Sequence, residues 1–333
     1  MKDMIRKKKN AFGIALVILI LLSGCKNQAR PDHKINRFDQ DLFSLTLAKD
    51  HGDLNSLKAK YPLFFPLFCS EIIGIGPDTA SGAAEFINQF LTDPVILSVK
   101  ETTDSVYPDL HDIAENIHMG IDRFGDITSR NDTVKLIFYI SGFNQSFVSL
   151  PGILAVGLDN YLGSDAIYYQ NLAIPKYIRK TMDPEFIVVD AVRAWIMSEI
   201  EPSGMINTLL DHMIHEGKIL YLLNESFPTK EMNKVFRYSR EQLEWCEENE
   251  RSMWEFIIEN ELLYSSDRLL ISRLTKEAPF IREFGPESPG RAGSWLGFRI
   301  VQRFMQKTSI SASELIKIED TKTILSESRY RPG

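Results

Sequence analysis

The pattern of apolar and polar positions predicts a chain dominated by helices and interrupted once by a short region rich in strands. Residues 35–43 alternate as a first strand or an extended entry segment would. Apolar residues then repeat every three or four positions, as on a helix that packs on one side, in 54–61, 81–91, 96–107, 110–124, 187–200, 206–224, 240–250 and 253–263. Two runs rich in β-branched residues, 133–140 and 152–159, predict a small sheet. The sequence therefore predicts one helix-dominated α+β domain over residues 35–333.

The segment 206–224 is the one that suggests chemistry. Its apolar stripe faces a core, and a neighbouring face carries His212, His215 and Ile219. A zinc-peptidase helix has the pattern His-Glu-x-x-His, in which two imidazoles one turn apart bind the metal and the Glu polarises its water. His215 and Glu216 supply the first half, but Ile219 stands where the second histidine belongs. The pattern predicts a degenerate zincin-like, metallopeptidase-like domain with no catalytic residues, no metal and no cofactor.

A non-standard metal site remains as the alternative hypothesis. His212 lies three residues before His215, and Glu216 lies four after His212, so all three can share one side of a helix. Glu250 follows on a later helix as a candidate third ligand. In this alternative the protein is a zinc-dependent metallopeptidase with His212, His215 and Glu250 on the metal and Glu216 as general base.

Residues 288–304 predict another helix with a closely packed face. Ser288 is a candidate N-cap, and Pro289 suits the first turn. Gly293 and Gly297 lie one turn apart, so we expect them to let a second backbone approach. Arg291 is expected to pair with Glu287 on the surface, where such a pair contributes little. Of the two cysteines in the domain, Cys69 and Cys246, we expect both to be buried thiols.

The N-terminus has the three parts of a bacterial lipoprotein signal. Five basic residues precede an apolar run, Ala11 to Leu22, which is shorter than the roughly 20 residues that span a membrane. Leu22-Ser23-Gly24-Cys25 resembles a lipobox, which predicts a signal peptide over 1–24, acyl chains on Cys25 and a linker over 25–34. Because Lys26 and not an aspartate follows the cysteine, the predicted location is the outer membrane, facing the periplasm.

The charge of the domain excludes one class of partner. The chain has 38 basic and 45 acidic residues, a net charge of −7. Removal of residues 1–24 leaves 33 basic and 44 acidic residues, a net charge of −11. An acidic domain is poorly suited to nucleic acid or to anionic lipid headgroups. We therefore expect contact with the membrane through the lipid alone.

Several short segments together resemble the gliding-motility lipoprotein GldB family of the Bacteroidota. They lie at 35–39, 217–221, 245–250, 263–267, 278–280 and 287–291, and the resemblance spans nearly all of the mature chain. It implies a role in gliding motility and in the associated type IX secretion machinery. Cys25 is the one functional residue that it carries over, as the lipidation site.

Two hypotheses follow from these observations. In the first, the protein is lipid-anchored and non-enzymatic, and binds a protein partner in the gliding or secretion machinery of the envelope. In the second, it is the metallopeptidase with the unusual ligand set. A plain binding module for a small envelope ligand is a third option that no residue specifically supports.

Overall fold

The computed structural model describes residues 35–45, 52–131, 133–200, 206–227 and 232–333, and within them a mixed sheet lies between two layers of helices. Residues 34–333 cluster as one compact unit. The predictions made for residues 1–34, including Cys25, lie outside the described residues. The expected helix-dominated α+β class with a small sheet is confirmed.

The sheet has four strands in the spatial order β1-β2-β4-β3. β1 is parallel to β2, β2 is parallel to β4, and β3 pairs antiparallel with β4. Their bounds are Asn36–Arg37, Lys135–Tyr139, Phe147–Leu150 and Ile153–Gly157. The expected first strand is mostly wrong, because only two residues pair before a helix begins at Phe38. The half-exposed β3 has no continuous apolar run, and the sequence pattern missed it.

Both faces of the sheet are covered, which explains why β4, and β2 after Lys135, are apolar. Ile137, Tyr139 and Ala155 point into a small core on one face. There they meet Phe38, Phe64, Phe65 and Phe68, whose rings pack edge to face or tilted. Phe64, Phe65 and Phe68 therefore complete a core on this face. This layer contains α1 Phe38–Phe43, α2 Gly52–Lys60, α3 Phe64–Leu67 and α4 Ala83–Thr92.

The alternate residues of the same strands, among them Leu136, Phe138 and Val156, point into the larger core. Four long helices line it: α6 His111–Thr128, α9 Ile187–Glu199, α10 Leu209–Glu225 and α15 Ala292–Thr308. Shorter helices surround them: α5 Pro94–Val106, α7 Ile167–Asn171, α8 Lys176–Arg179, α11 Met232–Phe236, α12 Arg240–Glu248, α13 Glu250–Glu259, α14 Arg268–Thr275, α16 Ala312–Lys317 and α17 Thr321–Ser328.

Two glycines let α10 and α15 touch backbone to backbone. A Cβ on Gly217 would stand 2.4 Å from the carbonyl carbon and oxygen of Gly297, and a Cβ on Gly297 would stand 1.8 Å from the carbonyl oxygen of Met213. Gly293 approaches the carbonyl oxygen of Leu274 in the same manner, at 2.8 Å. The prediction of close packing at Gly293 and Gly297 is confirmed.

The start of α15 differs from the prediction. The helix begins at Ala292, and its N-cap is Arg291 in the left-handed conformation, not Ser288. The Ser288 hydroxyl instead bonds the backbone of Ile281 and of Gly285, within the preceding loop. The local serine–proline signal therefore stabilises a turn before the helix.

Cys69 and Cys246 are buried free thiols, as expected. None of the helices in the described residues is both long and apolar enough to cross a membrane.

Candidate functional site

The helix α10 that the sequence singled out is held firmly at its start. Thr208 is its N-cap, and Thr208 and Asp211 form a capping box. Thr321 also donates a hydrogen bond to Asp211, at 2.7 Å. His212, His215 and Glu216 are all partly buried on this helix, and burial is the main reason that the pKa values of both histidines are lowered.

Ile219 does not lie beside the histidines on an accessible surface. It is 1% exposed and belongs to the large core, together with Ile214 and Leu222. The space next to His215 is a crevice of about 30 Å³ between Asp211, Lys218 and Glu319. A volume of this size holds little more than a water molecule.

The carboxylate of Glu216 is engaged by two arginines. Arg193 of α9 donates a hydrogen bond from Nη2 to Oε2 at 2.7 Å, and Nη2 of Arg291 lies 3.9 Å from the same oxygen. Burial alone would raise the pKa of Glu216, but the two guanidinium groups outweigh it and the pKa is lowered. Glu216 is therefore ionised and paired, whereas a general base at a zinc site would need its carboxylate free to accept a proton.

These three residues belong to a larger charged cluster, which we call the arginine network: Asp190, Arg193, Glu216, Arg237, Glu277 and Arg291. Arg237 lies 3.6 Å from Asp190 and 3.8 Å from Glu277. Glu277 also lies 3.3 Å from Arg291. The Tyr161 hydroxyl donates to Asp190 at 2.8 Å. Burial raises the pKa of Asp190 although Arg237 and Tyr161 oppose the rise.

Two of the arginines adopt an unusual backbone conformation. Arg237 has φ 56° and Arg291 has φ 62°, a left-handed region that non-glycine residues rarely occupy. Each lies at a helix boundary, after α11 and before α15, and each points a buried or half-buried guanidinium into the network. Strained backbone of this kind persists where the surroundings determine it, and it concentrates at functional sites.

The expected surface pair between Arg291 and Glu287 is wrong. The Arg291 side chain is only 7% exposed and pairs with Glu277 and Glu216. A sequence-adjacent partner was the simplest choice, but the left-handed backbone at Arg291 turns its side chain inward. An interior pair matters more than a surface pair, because loss of one partner leaves a buried charge uncompensated.

The alternative metal site is not assembled in the part of the chain that the structure describes. Glu250 accepts hydrogen bonds from Arg299 at 3.0 Å and from the Tyr330 hydroxyl at 2.7 Å. No group of three or more His, Cys, Asp or Glu side chains in the described residues converges as metal ligands would. His212, His215 and Glu250 are therefore not brought together.

Two cavities meet at Arg237. The first, which we call the inner cavity, measures about 440 Å³ and lies at the carboxyl end of β4. Its floor holds Asn160, Tyr161, Asp190, Arg193 and Arg237, and its walls are mainly apolar: Phe147, Ile174, Ile178, Met182, Ala194 and Met197. The second, which we call the outer cleft, measures about 630 Å³. Thr181 and Arg237 line both.

The arginine network itself is not fully satisfied. Asp190 Oδ1, Arg193 Nη1, Arg237 Nε and Arg291 Nη2 are shielded from solvent and have no hydrogen-bond partner within the described protein. A buried polar group left in this state costs about 1–3 kcal/mol. Such groups are uncommon in native structures and are often found where a protein functions.

Sequence reasoning missed Asp190, Arg193 and Arg237. A signal for the first two was available, since they are the only charged residues between Ile187 and Ile196 in an otherwise apolar helix. Arg237 follows a short helix in a polar stretch and had no such signal. Arg291 was noticed in the segment Glu287–Arg291, but its partners were not.

The fold and site define a helix-dominated α+β protein with a buried network of arginines and carboxylates beside two joined cavities. The chain belongs to the family described as gliding motility protein GldB, whose profile matches residues 25–332. Searches of curated proteins and of solved structures found no significant match.

Proposed function

We propose that this protein is a lipid-anchored component of the gliding-motility machinery that acts by binding a protein partner and not by catalysis. The observation that supports this most is the extent of the family match. It begins at residue 25, the cysteine of the lipobox, and continues to residue 332. The predicted lipidation site and the whole domain are thus part of one family pattern.

The surroundings of Glu216 support the non-enzymatic part of the proposal. A degenerate zincin-like origin would account for the His215-Glu216 pair on a buried helix. In this protein the two residues have surroundings unlike those of a zinc site. Glu216 pairs with two arginines, and His215 borders a crevice too small for a substrate. We infer that the helix contributes stability and shape to a binding site.

The lipid anchor is tested by Cys25→Ser in the full-length chain. Each buried methylene contributes about 0.8 kcal/mol, so two or three acyl chains hold a protein stably on a bilayer. We expect the variant to lose incorporation of labelled palmitate and to fail to restore gliding in a deletion strain. Equal labelling of variant and wild type, with full rescue of gliding, would contradict the proposal.

The outer-membrane location is tested by Lys26→Asp. The residue after the lipidated cysteine carries the retention signal, so an aspartate there is expected to move the protein to the inner-membrane fraction. Lys26→Ala is the matched control and is expected to stay with the outer membrane. Wild type found in the inner-membrane fraction would be evidence against this location.

A further inference from the structure

We propose that the inner cavity and the outer cleft together bind the carboxyl terminus of a partner polypeptide whose last side chain is apolar. This inference deepens the proposed function and rests on the partner-binding part of it. In this arrangement Arg193 and Arg237 take the terminal carboxylate, the inner cavity takes the last side chain, and the outer cleft takes the residues before it.

The arginines are the reason to expect an anionic group on the ligand. Arg193 and Arg237 both line the inner cavity, and each keeps one N–H group that no acceptor in the described protein satisfies. The two side chains are 16% and 24% exposed, so part of each faces the cavity, while the N–H groups without a partner lie just beneath its surface. A carboxylate is the planar, two-oxygen partner that a guanidinium fork fits.

The need for an apolar side chain comes from the cavity walls. Phe147, Ile178 and Met197 are among the side chains that enclose the inner cavity. Its volume of about 440 Å³ falls within the roughly 300–1,000 Å³ of ordinary ligand sites, which combine apolar walls with a few polar groups. The ligand therefore joins a carboxylate to an apolar group.

The outer cleft distinguishes a peptide from a fatty acid, the other common ligand with that chemistry. Its lining combines apolar surface with several hydrogen-bonding side chains, among them Asn233, Gln242 and Tyr177. Amide and hydroxyl groups can bond the alternating N–H and C=O groups of a peptide backbone, whereas an acyl chain offers nothing to them. Because Arg237 lines both spaces, a carboxylate bound there leaves the preceding residues in the outer cleft. Capture of a terminal carboxylate is a known mode of peptide recognition.

The test uses the full-length lipidated protein in nanodiscs and a peptide library with four randomised carboxyl-terminal positions. One half of the library has a free carboxylate and the other half a terminal amide. We expect retention of the free-carboxylate half, with Leu, Ile, Met, Val or Phe enriched at the last position. The best retained peptide, labelled with fluorescein, should lose at least about tenfold in affinity when amidated, because a charge-assisted hydrogen bond is roughly twice as strong as a neutral one.

Two variants locate the binding. Arg237→Gln removes the guanidinium that lines both spaces. It should weaken binding of the free-carboxylate peptide about as much as amidation of the peptide does. Met197→Glu places a negative charge at the apolar rim, where the side chain is 46% exposed and the fold should tolerate it. Leu269→Glu, at a position 76% exposed that lines neither space, is the matched control and should bind as wild type does.

Three results would overturn the inference. The first is equal retention of both halves of the library, or of neither. The second is wild-type binding by Met197→Glu. The third is radiolabelled palmitate that binds the same site more tightly than any library peptide, which would assign the cavity to a fatty acid. None of these changes the expected result for Cys25→Ser, so failure here and failure of the proposed anchor are distinguishable.

Discussion

Glu216 is the residue at which a catalytic and a structural interpretation of the helix differ most. The isolated pair His215-Glu216 suggests a metal ligand and a general base, yet the glutamate is fixed by Arg193 at 2.7 Å. Its lowered pKa means that it stays ionised throughout the physiological range. The carboxylate therefore compensates charge inside the protein.

Substitution of Glu216 is expected to destabilise the protein strongly. Glu216→Ala removes the carboxylate to which Arg193 is hydrogen-bonded in a mostly buried place, while Arg291 keeps Glu277, and removal of one partner from a buried pair costs about 3–5 kcal/mol. Glu216→Gln keeps the shape but loses the charge and should cost less. Chemical denaturation at pH 7 measures both free energies of unfolding. A loss below about 1 kcal/mol for Glu216→Ala would contradict the role given to this carboxylate.

Lys218 gives the fold a dependence on pH in the alkaline range. It is 5% exposed, and burial lowers its pKa to about 8, although Glu319 opposes the shift. Above that pH the folded protein has released the proton, while the unfolded chain keeps it up to about 10.5. The unfolded state binds more protons in this window, so the free energy of unfolding should rise between pH 8 and about 10, by at most about 3 kcal/mol.

The variant Lys218→Met isolates this effect, because all other titrating groups remain. We expect the difference in unfolding free energy, wild type minus variant, to rise over pH 8 to 10. The ammonium group of Lys218 also donates to the carbonyl oxygen of Ile318, so the variant has a constant offset from the lost bond. A flat difference would show that Lys218 titrates normally, and a falling one that its pKa is raised; either would contradict the prediction.

The sequence alone identified some residues of the site but not the residues with which they pair. His215, Glu216 and Arg291 were all noticed, since each stands in a recognisable local pattern. Arg193 reaches Glu216, and Arg237 reaches Asp190, only through the tertiary fold, and pairs distant along the chain leave no periodic signal. The inward turn of Arg291 depends on a left-handed backbone that arginine rarely adopts, so it could not be expected from residue type.

At the scale of elements, the contact between α10 and α15 determines the geometry of the large core. Backbones meet at Gly217 and Gly297 with no room for a methyl group. Gly217→Ala and Gly297→Ala should each lower the free energy of unfolding by at least about 2 kcal/mol, because the overlapping atoms belong to the backbone and cannot rotate away.

Gly120→Ala is the control for this prediction. Its Cβ would stand 2.6 Å from Cγ2 of Val192, a side chain that can change position. The intrinsic gain of alanine over glycine in a helix, about 0.5–1 kcal/mol, offsets part of the strain. We expect a clearly smaller loss in thermal and chemical denaturation than at Gly217. Equal losses of unfolding free energy at Gly120, Gly217 and Gly297 would mean that the backbone contact between α10 and α15 matters no more for stability than a contact with a side chain.

Helices were predictable where their apolar period was strong, as in α6, α9 and α10, because burial of one face and the observed helix have the same cause. The two central strands were predictable from their β-branched runs. β1 failed because two paired residues give no pattern, and β3 failed because its residues are all half-exposed. The predicted cap at Ser288 failed because its hydroxyl bonds the backbone of Ile281 and Gly285 in the preceding loop, and the helix begins only at Ala292.

At the scale of the molecule, an acidic chain places several cations around one joined cavity. The net charge of the chain is −7, whereas the inner cavity and the outer cleft are lined by four cationic side chains, Lys176, Lys180, Arg193 and Arg237, and three carboxylates, Glu185, Asp190 and Glu277. In a lipid-anchored protein the acidic surface would keep anionic surfaces away from most of the domain, and the small cationic excess at the cavity would favour an anionic group there.

We propose that the helix with His215 and Glu216 serves structure and binding instead of zinc chemistry. Elemental analysis of the purified full-length protein, beside His215→Ala and a folded Glu216→Gln, tests it most directly. We predict that zinc stays well below one equivalent per chain in all three, with thermal stability unchanged by a chelator. Stoichiometric zinc in the wild type, lost in His215→Ala, would contradict the account and restore the metallopeptidase hypothesis.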